Sequence, residues 1–320
     1  MVLASRRGPA LEELAAECER RGGAALAHPV DVSDADAVQR LADATIAKFG
    51  RIDVWINNAA VSVFAPFLET PLTEFRRVID VDVMGYVHGC RSALQAMTEE
   101  GRGSIINVAS IVGEVPQPYT ASYGMSKAAV RALGVSLRSE LALSKQKKVH
   151  VSTVLPPTID TPFFQHSANH TGRKIVAMPP VYEADAVARA IVSLIGHPKN
   201  ELVVGRLGRS LVKQHRRAPE AVEAQMALQV EKTHLSRKVP APATSGTLLS
   251  PRSGELGQIT GGWNGKRRHG SRKLVGAALV SVGVVLLFKR LAPAVGAAYL
   301  GQQLTPVVGA VNVAKRLVVK

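Results

Sequence analysis

Through residues 1–205, apolar runs of four to seven residues alternate with longer stretches of helical period, and that alternation leaves few folds open to the chain. The pattern predicts strands near Val2–Ser5, Ala24–His28, Val54–Asn57, Ser104–Ala109, Val149–Leu155 and Leu202–Gly205. Between the first two, Leu11, Leu14, Ala15 and Cys18 recur at i, i+3, i+4 and i+7, with Pro9 at the start and Gly22-Gly23 at the end. Ser33 reads as the cap of the next helix, with Val38, Leu41, Thr45 and Phe49 on its inner face. Strands separated by helices on this schedule need right-handed crossovers, which build a doubly wound parallel sheet with helices on both faces, a Rossmann-like α/β fold. Ligands in such folds sit beyond the carboxyl ends of the strands.

Those ends carry polar clusters: Asp31-Val32, Asn57-Asn58-Ala59-Ala60, Ser110, and the run Pro156–Pro162. Downstream, Tyr123 and Lys127 stand four apart in a helical stretch and so share a face. A free phenol has a pKa of about 10, too high for proton transfer at neutral pH, and a neighbouring ammonium favours the phenolate. Ser110, thirteen residues before Tyr123 at a strand end, would converge on the same point. Such a set could exchange a proton with a substrate oxygen and hydrogen-bond that oxygen, as interconversion of a carbinol and a carbonyl requires.

In order and spacing these motifs resemble the short-chain dehydrogenase/reductase family over about residues 2–205. "VDVSD" resembles its adenine-contacting segment, "NNAA" the segment that stabilises the central sheet, and Ser110, Tyr123 and Lys127 its catalytic triad. "LPPTIDTP" resembles the segment that meets the nicotinamide through the backbone near Ile159 and the Thr161 hydroxyl. The resemblance implies a cofactor site made by Arg6, Arg7, Asp31, Val32, Asn58, Ala59, Ala60, Tyr123, Lys127, Pro156, Ile159 and Thr161. Arginines at the end of the "VLASRR" strand, where an acidic residue would take the ribose of NAD, favour the 2′-phosphate of NADP(H). Members of the family commonly pair, so a homo-oligomer is implied.

Two departures qualify the likeness. Asp82, in "VIDVDVMG", stands where the family usually has an asparagine that holds a kink, and a carboxylate there would compete for the Lys127 charge. It is the fourth member of the predicted catalytic set. The family's first strand and glycine-rich turn, which receives the pyrophosphate at a helix N-terminus, should precede "VLASRR" by roughly thirty residues. The chain therefore reads as the middle of a unit whose beginning is absent, with a misassigned start ranked above truncation or gene decay. Val2–Ser5 should then either pair directly with Val54–Asn57 or lie across a gap of roughly 10 Å, about two strand spacings.

The rest of the chain differs in character. Residues 1–205 hold 21 Lys+Arg against 21 Asp+Glu, and the last 115 hold 19 against 4, so the whole surplus of +15 belongs to the tail. Residues 206–238 read as one or two basic helices broken at Pro219. Residues 239–273 read as a flexible linker rich in Pro, Gly and Ser. Residues 274–320 read as a hydrophobic segment in which Leu274–Phe288 supplies fifteen uncharged residues between basic pairs. About 22 Å of helix is short of a hydrocarbon core, although flanking lysines can reach outward. Membrane association fits this segment best, ahead of docking on a subunit. The basic clusters lack aromatic interleaving, which argues against nucleic acid. Between Thr161 and Ala184 a mobile substrate lid is expected, with Phe163, Phe164, Ile175, Val176 and Met178 either lining an apolar pocket or only packing the lid. His166 and His170, four apart, find no third metal ligand nearby, so no metal is expected. Two cysteines, Cys18 and Cys90, both in helical stretches, and an early Arg6-Arg7 argue against secretion and for a cytoplasmic setting, with membrane association through 274–288 as its variant. The function these readings support is NADP(H)-dependent oxidoreduction of an apolar small molecule. The alternative is a non-catalytic, membrane-associated scaffold unable to hold a dinucleotide.

Overall fold

The structure, a computed structural model, describes residues 1–251 and 257–263. The parallel strands that position the site are β1 (Val2–Ser5), β2 (Leu26–Pro29), β3 (Val54–Asn57), β4 (Gly103–Val108), β5 (Val149–Leu155) and β6 (Glu201–Val203). Four of them form one sheet in the order β6-β5-β4-β3, with Val54 opposite Ser104, Gly103 opposite Val149 and Glu201 opposite Thr153. This is the expected parallel sheet with flanking helices. β4 and β5 are the most buried strands: Ile105, Ile106, Val154 and Leu155 are completely enclosed, as continuous apolar runs in a sheet covered on both faces should be.

The interruption foreseen in the sheet is present. β1 pairs with β2, Val2 opposite Leu26, in a separate two-stranded ribbon, and no ladder joins β1 to β3 among the described residues. Of the two outcomes left open, direct pairing of β1 with β3 does not occur. Helix α2 (Ala35–Phe49) spans the break on one face, since Val2 from the ribbon and Trp55 from β3 both pack on Val30, Val38 and Leu41. Ile56, in the middle of β3, is left 45% exposed. Helix α1 (Gly8–Arg20) rests on the ribbon and buries only Leu11; Leu14, expected inside, is 48% exposed.

Local differences have local causes. Asp34, rather than Ser33, caps α2 by accepting from Ala37 N at 3.0 Å, because the Ser33 hydroxyl is engaged with Asp31. The inner face of α2 is Val38, Leu41 and Ala42, while Thr45 and Phe49 are half-buried. Helices α3 (Leu72–Ile79) and α4 (Gly85–Glu99) are joined by a π-helical turn, Asp80–Met84, and α5 runs over Ala121–Leu143. A π-turn widens the helix and turns its side chains to a new direction; here it carries Asp82 into the interior.

Beyond α6 (Ala184–Gly196) the tail forms α7 (Arg206–His215) and α8 (Pro219–Gln229), with Pro219 in the first turn of α8. It continues through the turn Val230–His234 into a strand, Leu235–Pro240, antiparallel to Arg173–Ile175. The flexible linker expected from residue 239 is corrected over its described part. Residues 241–251 lie as a strap on the domain: Thr244 and Asn169 exchange backbone bonds, Ser245 donates to Glu74 Oε1 at 2.6 Å, and Leu248 is 1% exposed among Val63, Ala65, Val78 and Ala168. Gly246 has φ +55, and a Cβ there would collide with the His166 carbonyl, so glycine permits the close approach. Leu274–Phe288 and the rest of 274–320 lie outside the described residues. Among the described residues no helix is long and apolar enough to cross a membrane.

Leu248 reports on the strap directly. Leu248→Ala should cost about 2–5 kcal/mol of unfolding free energy in urea titration, the range for a fully buried leucine; a loose linker would show no change.

Candidate active site

At the carboxyl ends of the strands lies one pocket of about 880 Å³. β4 ends at Val108, and Ser110 follows in extended conformation, 7% exposed, its hydroxyl donating to Pro156 O at 3.4 Å and accepting from Val112 N at 3.3 Å. Tyr123 and Lys127 project from the first turns of α5 toward the same point, and Ser110, Tyr123 and Lys127 all line the pocket.

Lys127 is 1% exposed, and a buried ammonium must be compensated. Its Nζ donates to the Tyr86 hydroxyl at 3.2 Å and to Val108 O at 3.3 Å, and lies 3.5 Å from Asp82 Oδ2. The Tyr86 hydroxyl in turn donates to Val108 O at 2.7 Å. Tyr86 is a part of this network that sequence reading missed, since nothing local separates it from an aromatic that only packs a core. Asp82, completely buried, accepts from Val61 N at 2.8 Å and from the Ser126 hydroxyl at 3.3 Å, but it does not line the pocket. Burial pushes its carboxyl up to about 6, with Lys127 and the Val61 amide opposing.

One electrostatic expectation is corrected. Tyr123 does not have a depressed pKa: enclosure of its phenol pushes it up to about 12, Lys127 and the Ser110 hydroxyl pull it down, and Asp82 and Tyr86 push it further up. The ammonium lies 5.6 Å from the Tyr123 ring and is shared with Asp82, so its pull is partly spent before it reaches the phenol.

The residues expected to hold a cofactor all line this pocket: Arg6 and Arg7 after β1, Asp31 and Val32 after β2, Asn58, Ala59 and Ala60 after β3, and Pro156, Ile159 and Thr161 after β5. Asn57, just before them, is buried and donates to Asn107 Oδ1 at 2.8 Å, tying β3 to β4. The Asp31 carboxylate accepts from Ser33 and from Arg77 Nη2 at 2.5 Å; burial would raise its pKa, but the Ser33 and Arg77 bonds outweigh it and hold it low. The two arginines differ. The Arg6 guanidinium donates to the carbonyls of Thr247, Leu248 and Leu249 in the strap, at 2.6, 3.2 and 3.1 Å. Arg7 makes no side-chain hydrogen bond or ion pair among the described residues.

Part of the pocket wall is aromatic. The Tyr123 and Phe163 rings are 5.4 Å apart, and Phe163 and Phe164 are 5.5 Å apart. The lid residues divide: Phe163, Phe164 and Met178 line the pocket, whereas Ile175 packs on Phe64 and Leu235, and Val176 packs beside Trp263. His166 lines the pocket, and His170 instead contacts Glu74 Oε2 at 2.8 Å. The tail adds Met226 and His234, which lay in a stretch read only as basic helix.

A family model for short chain dehydrogenases matches residues 1–172. An uncharacterized oxidoreductase of Bacillus subtilis, YxnA, is 32% identical over 213 residues, 66% of this chain and 60% of that protein's length. An alcohol dehydrogenase of the archaeon Thermococcus sibiricus, solved with 5-hydroxy-NADP, is 26% identical, covers 63% of this chain and 84% of its own, and superposes with a TM-score of 0.54. A Burkholderia phymatum short chain dehydrogenase/reductase solved with NAD, at 23% identity, covers 68% and 84% with a TM-score of 0.62, a likeness of fold. This chain belongs to the short-chain dehydrogenase/reductase family.

Asp82 allows a direct test of the site's electrostatics. Asp82→Asn removes a negative charge that holds the Tyr123 phenol up, so the phenolate absorbance of Tyr123, assigned by difference from Tyr123→Phe, should appear at lower pH than in the wild type. An unmoved titration would mean that the carboxylate carries no charge there.

Proposed function

We propose that the protein is an oxidoreductase that interconverts an alcohol and a carbonyl on an apolar small molecule, with NADP(H) as its cofactor. The observation that carries this reading is the convergence of Ser110, Tyr123 and Lys127 on the wall of one pocket that also reaches Arg6, Arg7 and Asp31. A phenol and a hydroxyl together can hold a substrate oxygen, with Tyr123 exchanging its proton and Ser110 donating a hydrogen bond to it. Lys127 opposes the rise that burial imposes on the Tyr123 phenol and presents an ammonium to the ribose side of the pocket.

The residues present fit a nicotinamide dinucleotide at its two ends. Ile159, Thr161 and Lys127 suit the nicotinamide riboside, and Asp31, Val32 and Arg7 the adenosine. The pyrophosphate between those ends would face the interruption between β1 and β3. When bound, the cofactor supplies or accepts the hydride. Arg6, already bonded to neutral carbonyls of the strap, is the weaker candidate for a 2′-phosphate, and Arg7 the stronger. The aromatic wall and Met178 favour an apolar substrate, since these groups offer area without hydrogen bonds.

Two titrations test the reading. In calorimetry, Arg7→Ala should weaken NADPH about tenfold to a hundredfold, the loss of one charge-assisted contact worth about 1.5–3 kcal/mol, and leave NADH unchanged. In turnover assays with an apolar alcohol panel, Tyr123→Phe should abolish activity while cofactor affinity persists. Equal NADPH and NADH affinities in the wild type would overturn the NADP assignment, and full turnover in Tyr123→Phe would overturn the site.

A further inference from the structure

The pocket wall contains a polar atom that the proposed reaction does not use. His234 ends the π-helical turn Val230–His234, immediately before the strand Leu235–Pro240. It is 3% exposed and lines the pocket. Its ring stands edge-on to Phe64, centroids 5.0 Å apart, and to Phe164, at 5.3 Å. The ring is fixed by a reciprocal contact with Val176: the Val176 amide donates to His234 O at 2.8 Å, and His234 Nδ1 lies 2.5 Å from Val176 O. A carbonyl oxygen only accepts, so Nδ1 carries the hydrogen. Nε2 is then a bare lone pair, and it has no partner among the described residues. Burial holds the imidazole down at about 4, so the ring stays neutral and Nε2 remains an acceptor.

An acceptor on a pocket wall can take a hydrogen bond from whatever fills the pocket, and between rings that offer none it is the point at which a ligand's donor is rewarded. Resting on the oxidoreductase reading above, we propose that His234 is a specificity-determining residue whose Nε2 accepts a hydrogen bond from a second hydroxyl of the substrate, remote from the carbon that reacts at Tyr123. The wall between the two points is the ring series Tyr123, Phe163, Phe164 and His234, in contacts of 5.4, 5.5 and 5.3 Å. The substrate class is therefore an apolar, ring-sized hydroxy-alcohol or hydroxy-ketone. A carboxylate at the far end is disfavoured, because it would set its lone pairs against that of Nε2.

The test is a binding comparison on the full chain with decahydronaphthalen-2-ol and decahydronaphthalene-2,6-diol, read by NMR of histidine-labelled and tyrosine-labelled protein. In the wild type both alcohols should shift the Tyr123 signal. Only the diol should shift the His234 Nε2 resonance, and it should bind about two- to tenfold more tightly, the yield of one neutral hydrogen bond. His234→Asn can keep the donor to Val176 and lacks Nε2; His234→Phe keeps the ring contacts. In both, the preference for the diol over the mono-ol should be lost. If the alcohols shift Tyr123 but the diol leaves Nε2 unmoved, or if the preference survives in the variants, the role of His234 is overturned and the oxidoreductase reading stands. If neither alcohol shifts Tyr123 or His234, the pocket is not an apolar alcohol site, and both fall together.

Discussion

A single buried ammonium organises the centre of the molecule. Lys127 reaches from α5 between the end of β4 and the π-helical turn, and every element it touches must offer it an oxygen: the Val108 carbonyl, the Tyr86 hydroxyl and the Asp82 carboxylate. Taking both charges of such a pair out of water costs several kcal/mol per ion, repaid only if geometry and further hydrogen bonds are good. The further bonds are present, from Val61 N and Ser126 to Asp82 and from Tyr86 to Val108 O. The π-turn is the backbone device that permits this, since an uninterrupted α-helix from α3 to α4 would rotate Asp82 away from Lys127. Burial raises the Tyr123 phenol, and the same network adjusts that rise, because Lys127 and Asp82 pull its pKa in opposite directions.

Described residues beyond 205 help to line the pocket. α8 brings Met226 and the following turn brings His234 to the pocket, and the strap crosses at Arg6. At the other end Trp263 donates through its backbone amide to Asp160 Oδ1 at 2.9 Å and through its indole to Thr161 O at 3.2 Å. Phe164 is gripped from both sides, by His234 and by Trp263 at a centroid distance of 5.9 Å. A wall assembled from such remote segments can differ in shape and polarity while the strand ends beneath it stay the same.

Legibility varied with the range of the interaction. Strands β1, β3 and β5 were readable to the residue because their apolar runs are bounded by polar or turn residues, and Ser110, Tyr123 and Lys127 were readable because their spacing maps onto one strand end and one helix face. Asp82 was found only because it departs from a family pattern. Tyr86, Met226 and His234 had no local signal: an aromatic, a methionine or a histidine on a helical stretch is the same letter whether it packs a core or faces a ligand. The linker reading failed over 241–251 for a related reason. Pro, Gly and Ser describe the freedom of an isolated chain, but Gly246 uses that freedom to approach the His166 carbonyl while Leu248 fills an apolar recess.

By itself, then, the amino-acid sequence determined the parallel α/β architecture and the three side chains that meet at the strand ends, because periodicity and spacing are local properties that any copy of the chain carries; the interruption beside β1 was implied only by the family resemblance. Only the tertiary structure decided which charges are compensated. It put Asp82 against Lys127, gave Arg6 to the strap while leaving the Arg7 side chain without a partner among the described residues, and raised the Tyr123 phenol instead of lowering it. Burial and the direction of a neighbour's dipole fix those outcomes, and neither exists until distant segments have packed.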